Sequence, residues 1–346
     1  MRPRLEKRER VILGSVVRTY VTTAQPVGSK RVAEETGLGF SSATIRSLMS
    51  RMEERGLMRR PHASAGRVPT DRGYRVYVDD VMEPAALTRE EQEEVFHGVE
   101  RAAPAPDRLP RSLAGLLSAL SGQMGFASPP RLDEAVFRNL YADRSGGERI
   151  AFFLTLDSGL VRSALAETFE PIAGAEVARG LADLNHRFAG LSIGRIRRMV
   201  FGADWALHLP PTPFGRLFRR AAEELLEVAR ETGSSVAGFD ALLAQPEFRN
   251  PEELDSVAGL FKEGRAIAGL LEPRLGEAGA SVWIGMENET EELRLFSVVA
   301  SRYRMGRFSG VMGMVGPTRM PYERALAIIG FLRHVLDCRI GPAGES

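Results

Sequence analysis

Residues 41–75 read SSATIRSLMSRMEERGLMRRPHASAGRVPTDRGYR, and no other stretch of the 346-residue chain restricts its fold so tightly. At 3.6 residues per turn, Ile45, Leu48, Met49 and Met52 align as one narrow stripe. Ala43, Ser47, Ser50 and Glu54 fall opposite, flanked by Thr44, Arg46 and Arg51. One face packs; the other is short, polar and partly cationic. Such a helix lies close to a duplex, because nothing bulky holds its backbone away from base edges and phosphates. The pattern predicts a DNA recognition helix. Its base-edge candidates are Ser42, Ala43, Thr44, Ser47 and Ser50, since Ser and Thr donate or accept and small methyls suit the thymine methyl. Arg46 and Arg51 suit phosphate better than guanine. Ser41 and Ser42 serve equally as helix caps or as contacts.

The flanking sequence has the layout this reading requires. Residues 5–22 are amphipathic, with Ile12, Val16 and Tyr20 at i, i+4 and i+8; QPVG (25–28) breaks the chain, and Ser29 is placed to cap a short helix ending at Gly37. After Gly56, residues 57–60 and 67–69 read as two strands around a turn at 61–66 with His62 and Ser64 at its tip. The expectation is a winged helix-turn-helix. Its wing carries Arg59, Arg60 and Arg67 toward phosphates or the minor groove, and His62 and Ser64 toward the duplex.

Charge is split along the chain. Residues 1–82 hold 16 Lys and Arg against 9 Asp and Glu, whereas the other 264 residues hold 30 against 36, a division that the net charge of +1 conceals. A basic module on an acidic body suits one domain approaching a polyanion while the body stays away. No run of about 18 apolar residues occurs, so no membrane span is expected and the reading is cytoplasmic. Cys338, the single cysteine, excludes an intrachain disulfide and reads as a small apolar residue of the last helix. His62, His97, His186, His208 and His334 stand singly, without carboxylate or cysteine at ligand spacing, so neither a metal site, a bound cofactor nor an enzyme's catalytic set is expected. Gly310, Gly313 and Gly316 form GxxGxxG without the Lys-Ser/Thr of a phosphate loop; Arg319 beside them reads as a cap or internal pair.

The rest reads as an α+β multidomain body. A helix over 71–82 follows the wing, started by Thr70 or Asp71. Thr88 and Glu91 form a capping box for an acidic helix to about Glu100, then AAPAPDRLP makes a linker. Leu113, Leu116, Leu117, Leu120 and Met124 mark an amphipathic helix, and residues 149–156 and 160–167 a strand hairpin turned by DSG (157–159). From about 182 to 244 the pattern is helical and poor in aromatics. Strands return at 281–286, 293–303 and 308–315 before a helix over 321–336. The expected division is 1–82, DNA-binding domain; 83–110, linker helix and linker; 111–181 and 251–346, two parts of one sheet domain; and 182–250, an inserted subdomain.

PVGSKRVAEE (26–35), SSATIR (41–46) and PHASAGRVPTDRGYRVYVD (61–79) resemble the N-terminal domain of HrcA, the bacterial heat-inducible transcription repressor family. QPEFRNPEEL (245–254), IGMEN (284–288) and SRYRMGRFSGVMGMVGPTRMPY (301–322) are similar to its C-terminal signatures, so the resemblance spans nearly the whole chain. It implies a GAF-like domain holding an inserted dimerizing domain, a homodimer, and an inverted-repeat operator of the CIRCE type upstream of chaperone operons. It also implies control by a GroEL-type chaperonin that keeps the repressor active until heat-unfolded proteins draw it away. Relatives commonly read ATIRNEM where this chain has ATIRSLM, so Ser47 stands where an asparagine suited to adenine is usual. The alternative is a winged-helix repressor whose sheet domain senses a small molecule.

Overall fold

Short helices punctuated by glycine and serine open the chain. A computed structural model describes residues 5–37, 39–83, 85–102, 108–129, 135–144, 149–157, 161–209, 211–226, 234–248, 265–276, 279–305 and 308–339. Helix α1 (Lys7–Thr23) starts with Glu6 and Glu9 in a reciprocal capping box and stops at Ala24 in the left-handed region, φ 53°. Helix α2 (Ser29–Thr36) takes Gly28 as its N-cap, so Ser29 is its first residue and not the expected cap; Gly37, also left-handed, closes it. Helix α3 (Ser42–Glu54) is followed by a two-stranded ribbon of β1 (Met58–Arg59) and β2 (Val68–Pro69). Then α4 (Asp71–Val76), capped by the Thr70 hydroxyl, runs on into one π-helical turn over Tyr77–Val81. Ile12, Leu13 and Val16 of α1, Val32 of α2, and Ile45, Met49 and Met52 of α3 are buried together with Leu57 and Val68. This is the stripe that the 3.6-residue period picked out; only Leu48 stays half-buried.

Thr88 and Glu91 exchange the two hydrogen bonds of a capping box at the start of α5 (Arg89–Ala102), and α6 (Leu109–Ser121) buries Leu113, Leu116, Leu117 and Leu120. Left-handed Gly122 ends α6, which puts Met124 in strand β3 (Met124–Ala127) and not on the helix. The linker expected after α5 lies largely outside the described residues, as do residues 158–159 of the DSG turn and the second half of QPEFRNPEEL.

The chain divides into two compact units: Met1–Ser128 with Ser234–Arg302 and Val311–Val335, and Pro129–Gly233 with Tyr303–Gly310 and Leu336–Ser346. The second holds β4 (Phe137–Arg144), β5 (Arg149–Leu156) and β6 (Val161–Glu167) as an antiparallel sheet in that order, with α7 (Gly174–Phe188), α8 (Ile193–Phe201), α9 (Trp205–His208) and α10 (Pro213–Leu226). The inserted segment therefore begins near 129, not at 182. The reason is packing: Phe137 and Phe152 from the strands meet Phe188, Phe214 and Phe218 from the helices at centroid distances of 5.7–6.0 Å, so sheet and helices share one core. The hairpin cannot belong elsewhere, and the unit is not short of aromatics. Asn185 of α7 accepts from the Leu140 N–H at 2.7 Å and donates to its carbonyl at 2.9 Å, occupying the free edge of β4 as a neighbouring strand would.

Beyond it the chain continues through β7 (Ser235–Ala237), α11 (Phe239–Leu243) and α12 (Arg265–Leu271), then β8 (Ala280–Ile284), β9 (Phe296–Met305), β10 (Phe308–Pro317) and α13 (Tyr322–Arg339). Five strands form one sheet in the order β7-β3-β10-β9-β8, so residues 235–244 complete this sheet body and not the insertion. Phe126, Phe248, Phe296, Val298, Val311 and Val315 fill the core of the body, with Phe248 and Phe296 stacked at 4.8 Å. Cys338 lies on α13 but is exposed, contrary to the apolar reading. The described residues contain no helix long and apolar enough to cross a membrane.

Glu9 is the acid at the centre of the three-helix module. Burial pushes its carboxyl up, but the Glu6 N–H at 3.1 Å, the Arg55 guanidinium at 2.9 Å and Arg51 at 3.6 Å outweigh this and hold it below the usual carboxylate range. A lowered folded value means its contribution is complete above the unfolded pKa, about 4.3, and is lost as pH falls through the folded value. Glu9→Ala is expected to cost about 1–3 kcal/mol in denaturant unfolding at pH 7. The penalty should shrink as the pH is taken below about 4; an equal penalty at pH 7 and pH 3 would refute the ionic account.

Candidate nucleic-acid interface

Burial of the α3 stripe decides what the opposite side presents. Ser42, Ala43, Thr44, Arg46 and Ser47 are all exposed along one side of α3, and Arg51 continues that side one turn later. Ser41 is the N-cap: its hydroxyl accepts from the Thr44 N–H at 3.1 Å and lies 3.0 Å from the Thr44 hydroxyl. The cap reading of Ser41 is therefore realised. Arg51 is about half exposed although Glu9 lies 3.6 Å away, so its guanidinium is oriented without being withdrawn from solvent.

The ribbon sorts its arginines differently. Arg59 and Arg60 are exposed, as are His62 and Ser64 at the turn. Arg67, expected to reach phosphate, is 6% exposed: it ion-pairs with Glu53 at 2.8 Å and donates to the Ser50 hydroxyl at 3.1 Å. This corrects the reading of Arg67 as a wing contact. Its backbone is tied as well, exchanging N–H and C=O with Val27 at 2.9 and 2.8 Å, which fixes the side chain against α3, where pairing offsets the cost of burying a charge. Ser50 is half-buried and spends its hydroxyl on Arg67, so it stands at the flank of the exposed side. Glu53 also lies 3.4 Å from Arg60, making one carboxylate the anchor for two ribbon arginines.

Motif reading passed over two further cations. Lys30, in the first turn of α2, is exposed; the helix before a reading helix crosses the backbone in such modules, and that position is the available signal. Arg8 stacks on Phe40 at 4.9 Å, pinning the segment that leads into α3.

The other candidates resolve structurally. Arg319 is held by Gln245 at 2.6 Å, by Glu247 and by the Val21 carbonyl at 3.1 Å, which makes it an internal pair. No group of three or more His, Cys, Asp or Glu at metal-binding distance occurs among the described residues. A cleft of about 480 Å³ lies in the second unit, bordered by Phe169, Trp205, Arg216, Arg219, Arg220 and Glu223. Its arginines are largely engaged: Arg219 stacks on Trp205 at 4.4 Å, Arg220 on Phe169 at 4.5 Å, and Arg216 pairs with Glu170 at 2.6 Å.

Comparison with known proteins agrees with the sequence signatures. The family model described as HrcA protein C terminal domain matches residues 107–326. The heat-inducible transcription repressor HrcA of Geobacter sulfurreducens is 31% identical over 330 residues, covering 94% of this chain and 96% of that protein. That of Symbiobacterium thermophilum is 33% identical over the same length and the same shares. A crystal structure titled as that of a hypothetical protein superposes with a TM-score of 0.64 at 24% identity, covering 96% of this chain and 98% of that one, and so shares the fold. With near-complete coverage by proteins of one name and a family match over most of its length, this chain belongs to the HrcA family of heat-inducible transcription repressors, which are not enzymes.

Proposed function

We propose that the chain is a cytoplasmic repressor of chaperone operons that binds an inverted-repeat, CIRCE-type operator as a homodimer. The observation that carries this is the exposed side of α3, where Ser42, Ala43, Thr44, Arg46 and Ser47 stand together opposite the buried Ile45, Met49 and Met52. In this reading residues 1–82 are a winged helix-turn-helix, α3 enters the major groove, and Arg46 and Arg51 take phosphates. The exposed Arg59, Arg60, His62 and Ser64 of the wing, and Lys30, track the neighbouring backbone. The five-stranded body is the GAF-like domain. Replacing Arg46 by Ala is expected to weaken operator binding about tenfold and to lower the slope of log K against log salt by about 0.9. Arg67→Ala should instead lower the melting temperature and leave that slope unchanged, because its charge is spent on Glu53. Gel shifts over a salt series decide it: an unaltered slope for Arg46→Ala and a reduced one for Arg67→Ala would reverse the assignment.

A dimer turns two weak half-site contacts into one tight one, and a twofold protein reads an inverted repeat. The second unit supplies a surface for it. Tyr141, Phe153, Val161 and Leu165 project from the outer face of its sheet at 39–56% exposure, and Tyr141 pairs directly opposite Phe153. Large apolar side chains exposed on one sheet face are what protein interfaces cover, and with Asn185 plugging the β4 edge, association through the face is favoured over pairing at that edge. Phe153→Glu with Leu165→Lys should yield a folded monomer in sedimentation equilibrium with at least tenfold weaker operator binding; a dimer retained by this variant would locate the interface elsewhere.

Release on heating, under control of a GroEL-type chaperonin, completes the reading; the heat-inducible name of the curated relatives supports it. Purified protein should lose operator binding in the heat-shock range and regain it with chaperonin. Full affinity through that range, indifferent to chaperonin, would overturn this step.

A further inference from the structure

The sequence motifs with no evident role in reading DNA converge on one place. GYRVYVD lies in α4 and its π-helical extension, IGMEN follows β8, GPTRMPY leads into α13, and QPEF precedes the undescribed segment. Arg75 donates from Nε to Glu287 at 2.8 Å and from Nη2 to the other Glu287 oxygen and to the Val282 carbonyl at 2.6 Å, a two-pronged grip on the turn after β8. Asp79 steadies the remaining Nη1 at 3.2 Å. Asp71 accepts from the Met286 N–H at 3.0 Å. Gly285 sits against that carboxylate with φ +52°, and a Cβ there would lie 2.1 Å from the Asp71 Oδ2, so the close approach requires glycine.

Two more attachments are made by other residues. The Tyr77 hydroxyl donates to Glu323 on α13, while the tilted rings of Tyr74 and Tyr322 have centroids 5.8 Å apart. Arg319, held by Gln245 and Glu247 of the body, donates to the Val21 carbonyl near the end of α1. A single contact leaves a domain free to swivel, and two leave a hinge axis. Each further contact removes more of that freedom. None of the residues involved belongs to the exposed side of α3.

We infer that this three-point clamp is a positioning device: Asp71, Arg75, Tyr77 and Arg319 fix the direction in which the DNA-reading module projects from the sheet body, and thereby set whether two modules of a dimer engage both halves of one operator. The inference rests on the repressor reading above. Binding to both half-sites at once gains over binding to one by the effective concentration of the second module, and that gain falls when the module swivels. The clamp therefore governs the ratio of full-site to half-site affinity and not half-site affinity itself.

The test uses the full-length protein and two duplexes, one with the intact inverted repeat and one with a single half-site scrambled. Arg75→Ala and Glu287→Gln should each reduce full-site affinity at least tenfold while half-site affinity stays within about twofold of wild type. Glu287→Gln keeps the shape of the turn and guards against a folding defect. Arg75→Lys, which retains charge but loses the fork, should fall between. Equal loss on both duplexes would make these residues part of the module's own fold and overturn the clamp, as would unchanged or increased full-site affinity. Wild-type protein that fails to prefer the intact repeat would instead refute the repressor reading, and the clamp's role with it.

Discussion

Burial of Ile45, Met49 and Met52 is the constraint from which the arrangement of the N-terminal three-helix module follows. Each is buried to within 2% of full coverage, and burying side chains of this size is worth about 1.5–3 kcal/mol apiece. With that side of α3 fixed, the helix cannot roll, and its small polar side is left outward without needing any further interaction to hold it. Ser41 closes the first turn, Arg8 on Phe40 steadies the approach, and the ribbon is laced to α3 by Glu53.

Acids decide which arginines remain outward. The basic module holds 16 cations, but Glu9 engages Arg55 and approaches Arg51, and Glu53 captures Arg67 and leans on Arg60. The same logic governs the attachment to the sheet body, where Glu287 takes Arg75. Counting charges along the sequence therefore overstates what faces a polyanion. The Glu partners within the module and in the body convert part of its charge into structure.

Much of this was legible in the residues. The stripe on α3, the caps at Ser41, Thr70 and Thr88, and the strand-rich return after residue 280 follow from period, turn chemistry and β-branched content, which are local properties. What was not legible depends on partners distant in sequence. Arg67 has the same local appearance as Arg59 and Arg60, and only its tie to Val27 and Glu53 turns it inward. The extent of the second unit is not legible in the same way, because the period of 182–244 reveals helices but not the sheet they cover. Phe137 lies 51 residues before Phe188, and Phe152 lies 62 before Phe214, the phenylalanines they pack against. Ser29 lost its capping role to Gly28 because the turn after Val27 places the β-region backbone one residue earlier.

The central claim, that the Ser47 side of α3 lies on operator bases, is tested most directly by site-specific photocrosslinking. A probe is attached at Ser47→Cys or, for comparison, at Arg67→Cys, each in a Cys338→Ser background that removes the natural thiol. The account predicts crosslinks from position 47 to bases within each half of the inverted repeat and almost none from position 67. Crosslinks from position 67 with none from position 47 would contradict it.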